Sequence, residues 1–169
     1  MAIINTIVLK VASPCNLLCT YCYEYQDDDW KKMPKFISEK TVESLINQIN
    51  AYCKKNNLKS FSINCHGGEP MLLGSKGLKK IFNAMKKHID ASIDLRIGMQ
   101  TNAVLASKEI SEILKDYKVS IGISLDGDEK GTEFRIDHSG KPAFDKILRI
   151  WFSVLVNEHV CILYSMFLN

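Results

Sequence analysis

No apolar run in this 169-residue sequence approaches the roughly 20 residues needed to span a bilayer. The N-terminus also lacks the charged n-region and small-residue cleavage site of a secretory signal, so a soluble, cytoplasmic protein is expected. A large excess of one charge is missing: 22 Lys and Arg against 19 Asp and Glu leave a net +3. The lysines fall at helical spacing on polar faces, which reads as solvated surface and argues against a nucleic-acid or membrane partner. Fixed-period repeats, low-complexity stretches and linkers are missing too. What remains is one domain of ordinary composition, 46% hydrophobic and 24% charged, long enough to bury a sizeable core.

The chain has six cysteines, but they are not spread as a disulfide framework. Cys15, Cys19 and Cys22 crowd into one short stretch, whereas Cys53, Cys65 and Cys161 lie far apart inside apolar patterns. A tight cluster in a reducing compartment reads as metal-binding, and scattered cysteines read as small core hydrophobes.

Two periodicities alternate along the chain. Strands are expected over Ile3 to Val11, around Phe61-Ile63-Cys65, around Ile93 to Met99, around Val119 to Leu125, and over Val160 to Phe167. Helices fall between them. Ser38 can cap one with Val42, Leu45, Ile46, Ile49 and Cys53 on its apolar face, and Ser75 can cap one with Leu78, Ile81, Phe82, Met85 and Ile89. Ser107 precedes Ile110, Ile113, Leu114 and Tyr117, and a fourth helix carries Phe144, Ile147, Leu148, Trp151 and Leu155. This alternation predicts an α/β fold of about five parallel strands with helices outside. Each of the first four strands leads at once into a polar or glycine-rich segment: Ser13 to Tyr25, His66 to Pro70, Gln100 to Ala103, and Ser124 to Asp128. Ligands of parallel α/β folds bind at the carboxyl ends of strands, so these four segments are expected to line one site.

The segment Cys15-Asn-Leu-Leu-Cys19-Thr-Tyr-Cys22 carries the chemistry. Three thiolates on one loop can wrap a metal centre. Structural zinc closes with four ligands, and His66 could supply the fourth. Three-cysteine ligation instead leaves one position of a cubane cluster open, which a reacting ligand needs. His66-Gly67-Gly68-Glu69-Pro70 places glycines, exposed carbonyls and a carboxylate where an ammonium could be received, or it is an ordinary turn before a helix. Gln100-Thr101-Asn102 and Asp126-Gly127 also have turn readings, and Arg135 has a surface reading. His88, His138 and His159 show no ligand spacing and are expected to face solvent or to cap. Tyr23, Tyr25 and Trp30 fit core, lid or substrate contact equally.

Together these segments resemble the radical S-adenosylmethionine (SAM) enzymes. CxxxCxxC with Tyr21 before its last cysteine resembles the family signature, and the resemblance implies a 4Fe–4S cluster on Cys15, Cys19 and Cys22. SAM would chelate its unique iron and be cleaved to methionine and a 5′-deoxyadenosyl radical. The protein's part is positioning and solvent exclusion. By the same resemblance Gly67, Gly68 and Glu69 bind the SAM amino group, Asn102 lies in the segment facing the ribose, and Tyr21 packs beside adenine or cluster. Ser124 and Arg135 hold the SAM carboxylate, and the guanidinium fork suits that task. Ala103 stands where relatives often carry glycine. The resemblance is strongest to peptide maturases with a SPASM-type domain, the sulfatase-maturing and cyclophane-forming types. Tyr23-Glu-Tyr25 with Asp29-Trp30, and Arg135-Ile-Asp137-His138-Ser-Gly140, lean toward the cyclophane type. A peptide or protein substrate and a reductant such as ferredoxin or flavodoxin are thereby implied. The family fold is a six-stranded partial TIM barrel, so residues 1–169 are expected to be an incomplete core, truncated after a fifth strand, without SPASM domain, auxiliary clusters or substrate base. A non-catalytic remnant, or an iron–sulfur or zinc module without radical chemistry, is the competing expectation.

Overall fold

A computed structural model describes residues 3–150 and 162–165. Five strands form one sheet in sequential order: β1 (Thr6–Ala12), β2 (Ser60–Gly67), β3 (Asp94–Thr101), β4 (Ser120–Ser124) and β5 (Ile162–Ser165). Every neighbouring pair is parallel. Between the strands run α1 (Asp29–Lys32), α2 (Glu39–Asn56), α3 (Gly74–His88), α4 (Lys108–Asp116) and α5 (Phe144–Ile150). The expected α/β architecture is therefore present, with a short α1 that periodicity did not reveal. Trp151, Leu155, His159, Val160, Cys161 and Phe167 lie outside the described residues.

Ser38 caps α2 as expected, its Oγ accepting the Thr41 N–H at 3.1 Å, and Ser107 caps α4 through Ile110 N–H at 3.3 Å. Ser75 does not cap α3. A 3₁₀ turn, Pro70–Leu73, runs into the helix through Gly74, whose φ of +65° suits glycine, so the helix starts one residue before Ser75. No helix among the described residues is long and apolar enough to cross a membrane.

The strands have period 2, and their two faces differ sharply. Phe61, Ile63 and Cys65 on β2, Leu95, Ile97 and Met99 on β3, and Ile121 and Ile123 on β4 are buried. They form one core with Val42, Ile46, Ile49, Cys53, Leu78, Ile81, Phe82, Met85, Ile110, Ile113 and Leu114 of the helices. The alternate residues, Ser62, Asn64, His66, Arg96, Gln100, Ser120 and Ser124, are polar and only partly covered or exposed. Parallel sheets are normally apolar on both faces. A polar second face therefore marks the side where this fold does something other than pack. Two glycines shape that face. A Cβ at Gly98 would lie 2.1 Å from Asn64 Oδ1, and one at Gly122 would lie 2.3 Å from Gln100 Oε1, so each long amide lies across a glycine of the next strand.

Candidate functional site

The carboxyl ends of β1 to β4 open into one cleft of about 280 Å³. Cys15, Cys19, Cys22 and Tyr21 line it from the loop after β1, and His66, Gly67, Gly68 and Glu69 from the end of β2. Gln100, Thr101 and Asn102 reach it from β3, Ser124 from β4, and Arg135 from the segment beyond. Every residue the sequence singled out as a ligand or SAM contact thus borders the same space. The shared-site expectation rested on that convergence.

Main-chain bonds fix the cysteine loop at both ends. Gly68 N–H donates to Ala12 C=O and Glu69 N–H to Pro14 C=O, each at 2.9 Å, pinning the loop entry to the end of β2. Gly67 has φ +133°, and a Cβ there would lie 2.0 Å from Ala12 O. A Cβ on Gly68 would lie 2.1 Å from Pro14 O and 2.3 Å from the Tyr25 hydroxyl. These glycines are required because the chain approaches itself, a reason the sequence reading had assigned to a ligand. Tyr25 closes the knot. Its hydroxyl donates to Ser13 C=O at 2.9 Å, and its ring meets Trp30 edge-on at 5.0 Å, so both aromatics hold the loop.

The other end is sewn to the segment after β4. Leu18 N–H donates to Ile136 C=O at 2.8 Å and Thr20 N–H to Phe134 C=O at 3.1 Å. With the antiparallel bridge Leu17–Asp137 this makes a short ribbon. Side chains alternate across it: Leu17 and Arg135 are buried on the cleft side, while Leu18 and Phe134 are exposed. His138 is exposed, as expected of a solvent-facing or capping residue, and its Nε2 lies 3.3 Å from Cys15 C=O, tying the ribbon to the first cysteine.

Glu69 is 1% exposed and gives both oxygens to the protein. Oε1 accepts from Met71 N–H at 2.9 Å and Thr101 Oγ1 at 2.7 Å; Oε2 accepts from Asn102 N–H at 2.8 Å. Burial raises its pKa, against the lowering pull of these bonds. Glu69 is thus a brace between the ends of β2 and β3 while still bordering the cleft, the position from which the sequence reading had it accept from an ammonium. Asn102 Nδ2 in turn donates to Asn16 Oδ1 at 2.9 Å and lies 3.7 Å from Cys15 Sγ. Ala103 adopts φ +60° within this turn. On β3, Gln100 Nε2 donates to Ser124 Oγ at 2.8 Å.

Cys15 Sγ accepts from Leu17 N–H at 3.4 Å, and burial pushes its thiol up to about 12. Burial likewise raises Cys19, although nearby Arg135 pulls it down. Thiols this disfavoured as anions become thiolates when a metal centre supplies positive charge, and sulfur accepting N–H bonds is suited to such a centre. Among the described residues no three Cys, His, Asp or Glu side chains converge as a single-ion site. A mononuclear Cys₃His centre with His66 is therefore not preformed. A cubane cluster sets its cysteines on separate irons, so three thiols that border one cleft, as Cys15, Cys19 and Cys22 do, meet its requirement without converging on one ion. Cys53 and Cys65 are buried in the helix-side core and do not line the cleft.

Arg135 faces Asp126 across a nearly dry contact. Its Nη2 donates to Oδ1 at 2.9 Å, and its Nε lies 2.7 Å from Oδ2, off-line for a hydrogen bond. The Tyr21 hydroxyl donates to the same Oδ2. Sequence reasoning placed Asp126 in a family-like Ser124-Leu-Asp126-Gly127 segment or a plain turn, and gave its carboxylate no role.

Comparison with known proteins adds the family. The model described as Radical SAM superfamily matches residues 10–151. A cysteine-type anaerobic sulfatase-maturating enzyme of Clostridium perfringens is 27% identical over 153 residues, covering 86% of this chain and 39% of its own length. A serine-type anaerobic sulfatase-maturating enzyme of Bacteroides thetaiotaomicron is 30% identical over 146 residues, covering 84% of this chain and 34% of its own. The solved structure of native anSMEcpe with bound AdoMet superposes with a TM-score of 0.80 at 23% identity, over 95% of this chain and 43% of that one. A second, with AdoMet and the Cp18Cys peptide, gives 0.78. These likenesses establish the fold as that of a partial radical SAM barrel. The chain spans about two fifths of the length of the curated relatives it matches.

Proposed function

The chain belongs to the radical SAM superfamily, and from that premise we propose that its cleft holds one 4Fe–4S cluster and SAM for modification of a peptide or protein side chain. The observation that carries this is the meeting of Cys15, Cys19 and Cys22 with three further strand ends around one space. When bound, the cluster and SAM would supply a 5′-deoxyadenosyl radical after one electron arrives from a partner such as ferredoxin or flavodoxin.

The chain's own residues bind, orient and exclude water. Cys15, Cys19 and Cys22 hold the cluster. Gly67 and Gly68 offer backbone to the SAM amino group, and Glu69 supports them by locking Met71, Thr101 and Asn102 in place. Asn102 faces the ribose, and Tyr21 flanks the adenine or the cluster. Ser124, oriented by Gln100, and Arg135 receive the carboxylate. The matched relatives are sulfatase-maturating enzymes, and one superposing structure contains a peptide. That supports a peptide substrate and favours the sulfatase-maturing side over the cyclophane side.

Anaerobic reconstitution with iron and sulfide tests the reading. Wild type and Cys65→Ala should take up equal iron and show cluster absorbance near ~400 nm that SAM perturbs. Cys15→Ala, Cys19→Ala and Cys22→Ala should lose it. A Cys65→Ala chain that loses its iron while Cys19→Ala keeps it would reverse the assignment. Dithionite-reduced wild type that binds SAM yet releases no 5′-deoxyadenosine would limit the chain to binding.

A further inference from the structure

Arg135 does not stand free in the cleft. It is 8% exposed, and one edge of its guanidinium is occupied by Asp126. The two side chains keep only about a tenth of their surface, 10% for Arg135 and 11% for Asp126. Asp126 also accepts the Tyr21 hydroxyl, and the guanidinium carbon lies 5.6 Å from the Tyr21 ring centroid. One carboxylate at the end of β4 therefore joins the cysteine loop to the ribbon segment beyond.

The occupied edge decides what the arginine can offer. A guanidinium has five N–H donors in a fixed plane. Asp126 takes the Nε and Nη2 side, which leaves both N–H groups of Nη1 and one of Nη2 as a second fork. An arginine held by one edge keeps that fork aimed; one released regains its rotamer freedom and must be ordered again by its ligand. We infer that Asp126 is a positioning residue that presents the free fork of Arg135 to an anionic group in the cleft. The inference rests on the reading that Arg135 receives the SAM carboxylate, and it adds the residue that makes this possible.

The test measures equilibrium binding of SAM and of decarboxylated SAM to the cluster-reconstituted chain, with iron content checked for each variant. Arg135→Ala should weaken SAM ten- to a hundredfold. Asp126→Asn, isosteric and uncharged, should weaken it about tenfold. The double variant should bind SAM no worse than Arg135→Ala, and decarboxylated SAM should bind all four chains alike. If Arg135→Ala weakens SAM while Asp126→Asn leaves it unchanged or tighter, Asp126 competes or is idle, and the inference fails while the carboxylate reading stands. If Arg135→Ala changes nothing, both fall together. Equal loss of both ligands on Asp126→Asn would make Asp126 merely structural and overturn the inference. Should Asp126→Asn not take up cluster, Asp126→Glu answers the same question. It keeps the charge but shifts the guanidinium by a methylene, so the SAM to decarboxylated-SAM affinity ratio should drop severalfold. An unchanged ratio overturns the inference.

Discussion

Glu69 and Asp126 stand at the ends of different strands around one cleft, and the fold neutralises them by opposite means. Glu69 at the end of β2 is met by neutral donors, two backbone N–H groups and one hydroxyl, and burial raises its pKa. Asp126 beyond β4 is met by a cation and a phenol. The first flank is chain packed on chain, with glycines where no Cβ fits. The second is assembled from charges on segments remote in sequence. A flank built from the backbone is fixed by the path of the chain, whereas a flank built from side-chain charges keeps its shape only while each partner holds the other. This matches their proposed tasks, a rigid seat for one end of the ligand and an oriented arginine for the other.

The largest expected effect lies on the Glu69 flank. Glu69→Gln turns one acceptor into a donor that must face Asn102 N–H, or Met71 N–H and Thr101 Oγ1. At least two buried groups lose partners, which costs about 3 kcal/mol. A lower urea midpoint with unchanged slope would register this. A midpoint within experimental error of wild type would show that the brace carries little stability and would break the contrast between the flanks.

Acid sharpens the contrast, because it acts on the two flanks with opposite sign. Asp137, on the ribbon segment, has its carboxyl held below the usual range by Lys146, then by Ser139 and the Lys141 N–H. A lowered folded-state pKa means its stabilisation is present above about pH 4 and lost as pH falls through the lowered value. The stability gap between wild type and Asp137→Asn should therefore shrink below about pH 4. Glu69 is raised, so the folded state binds its proton more readily than the unfolded one. Its contribution grows as pH falls toward the ordinary carboxylate value. The gap between wild type and Glu69→Gln should widen as pH falls toward about 4 and level off there, before the Asp137 gap begins to close. Urea titrations at several pH values between 7 and 3 read both gaps, and parallel trends would remove the distinction.

Much of this was legible locally, and what was not is long-range. Cysteine spacing, alternating strands and the caps at Ser38 and Ser107 are short-range signals, and they locate the sheet and the four strand ends. Nothing local links Tyr21 to Asp126, Leu18 to Ile136 or His138 to Cys15, pairs more than 100 residues apart. The ribbon and the acid that grips Arg135 went unseen for that reason. Gly67 and Gly68 were recognised but explained by a ligand, because the Ala12–Pro14 backbone that crowds them belongs to another strand's end. Glu69 shows the same limit: a carboxylate beside glycines looks available until its three donors are found.

The smallest effect is expected at Ala103, on the Glu69 flank. Its φ of +60° lies in the left-handed region, which costs a non-glycine residue roughly 1–2 kcal/mol. Ala103→Gly removes that strain. It also removes a fully buried methyl, about 0.8 kcal/mol, and makes the unfolded chain more flexible by about 0.4–1 kcal/mol. These terms nearly cancel, so the variant should differ from wild type by about 0.5 kcal/mol or less. The turn's own bonds, Ala103 N–H to Thr101 Oγ1 and Val104 N–H to Asn102 Oδ1, both 3.0 Å, do not need the methyl. Ala103→Val should be clearly worse, since a β-branched side chain fits neither the left-handed backbone nor the filled space. A Gly variant losing more than about 1 kcal/mol would mean that the methyl's packing, and not the hydrogen-bonded turn, keeps Asn102 beside Cys15.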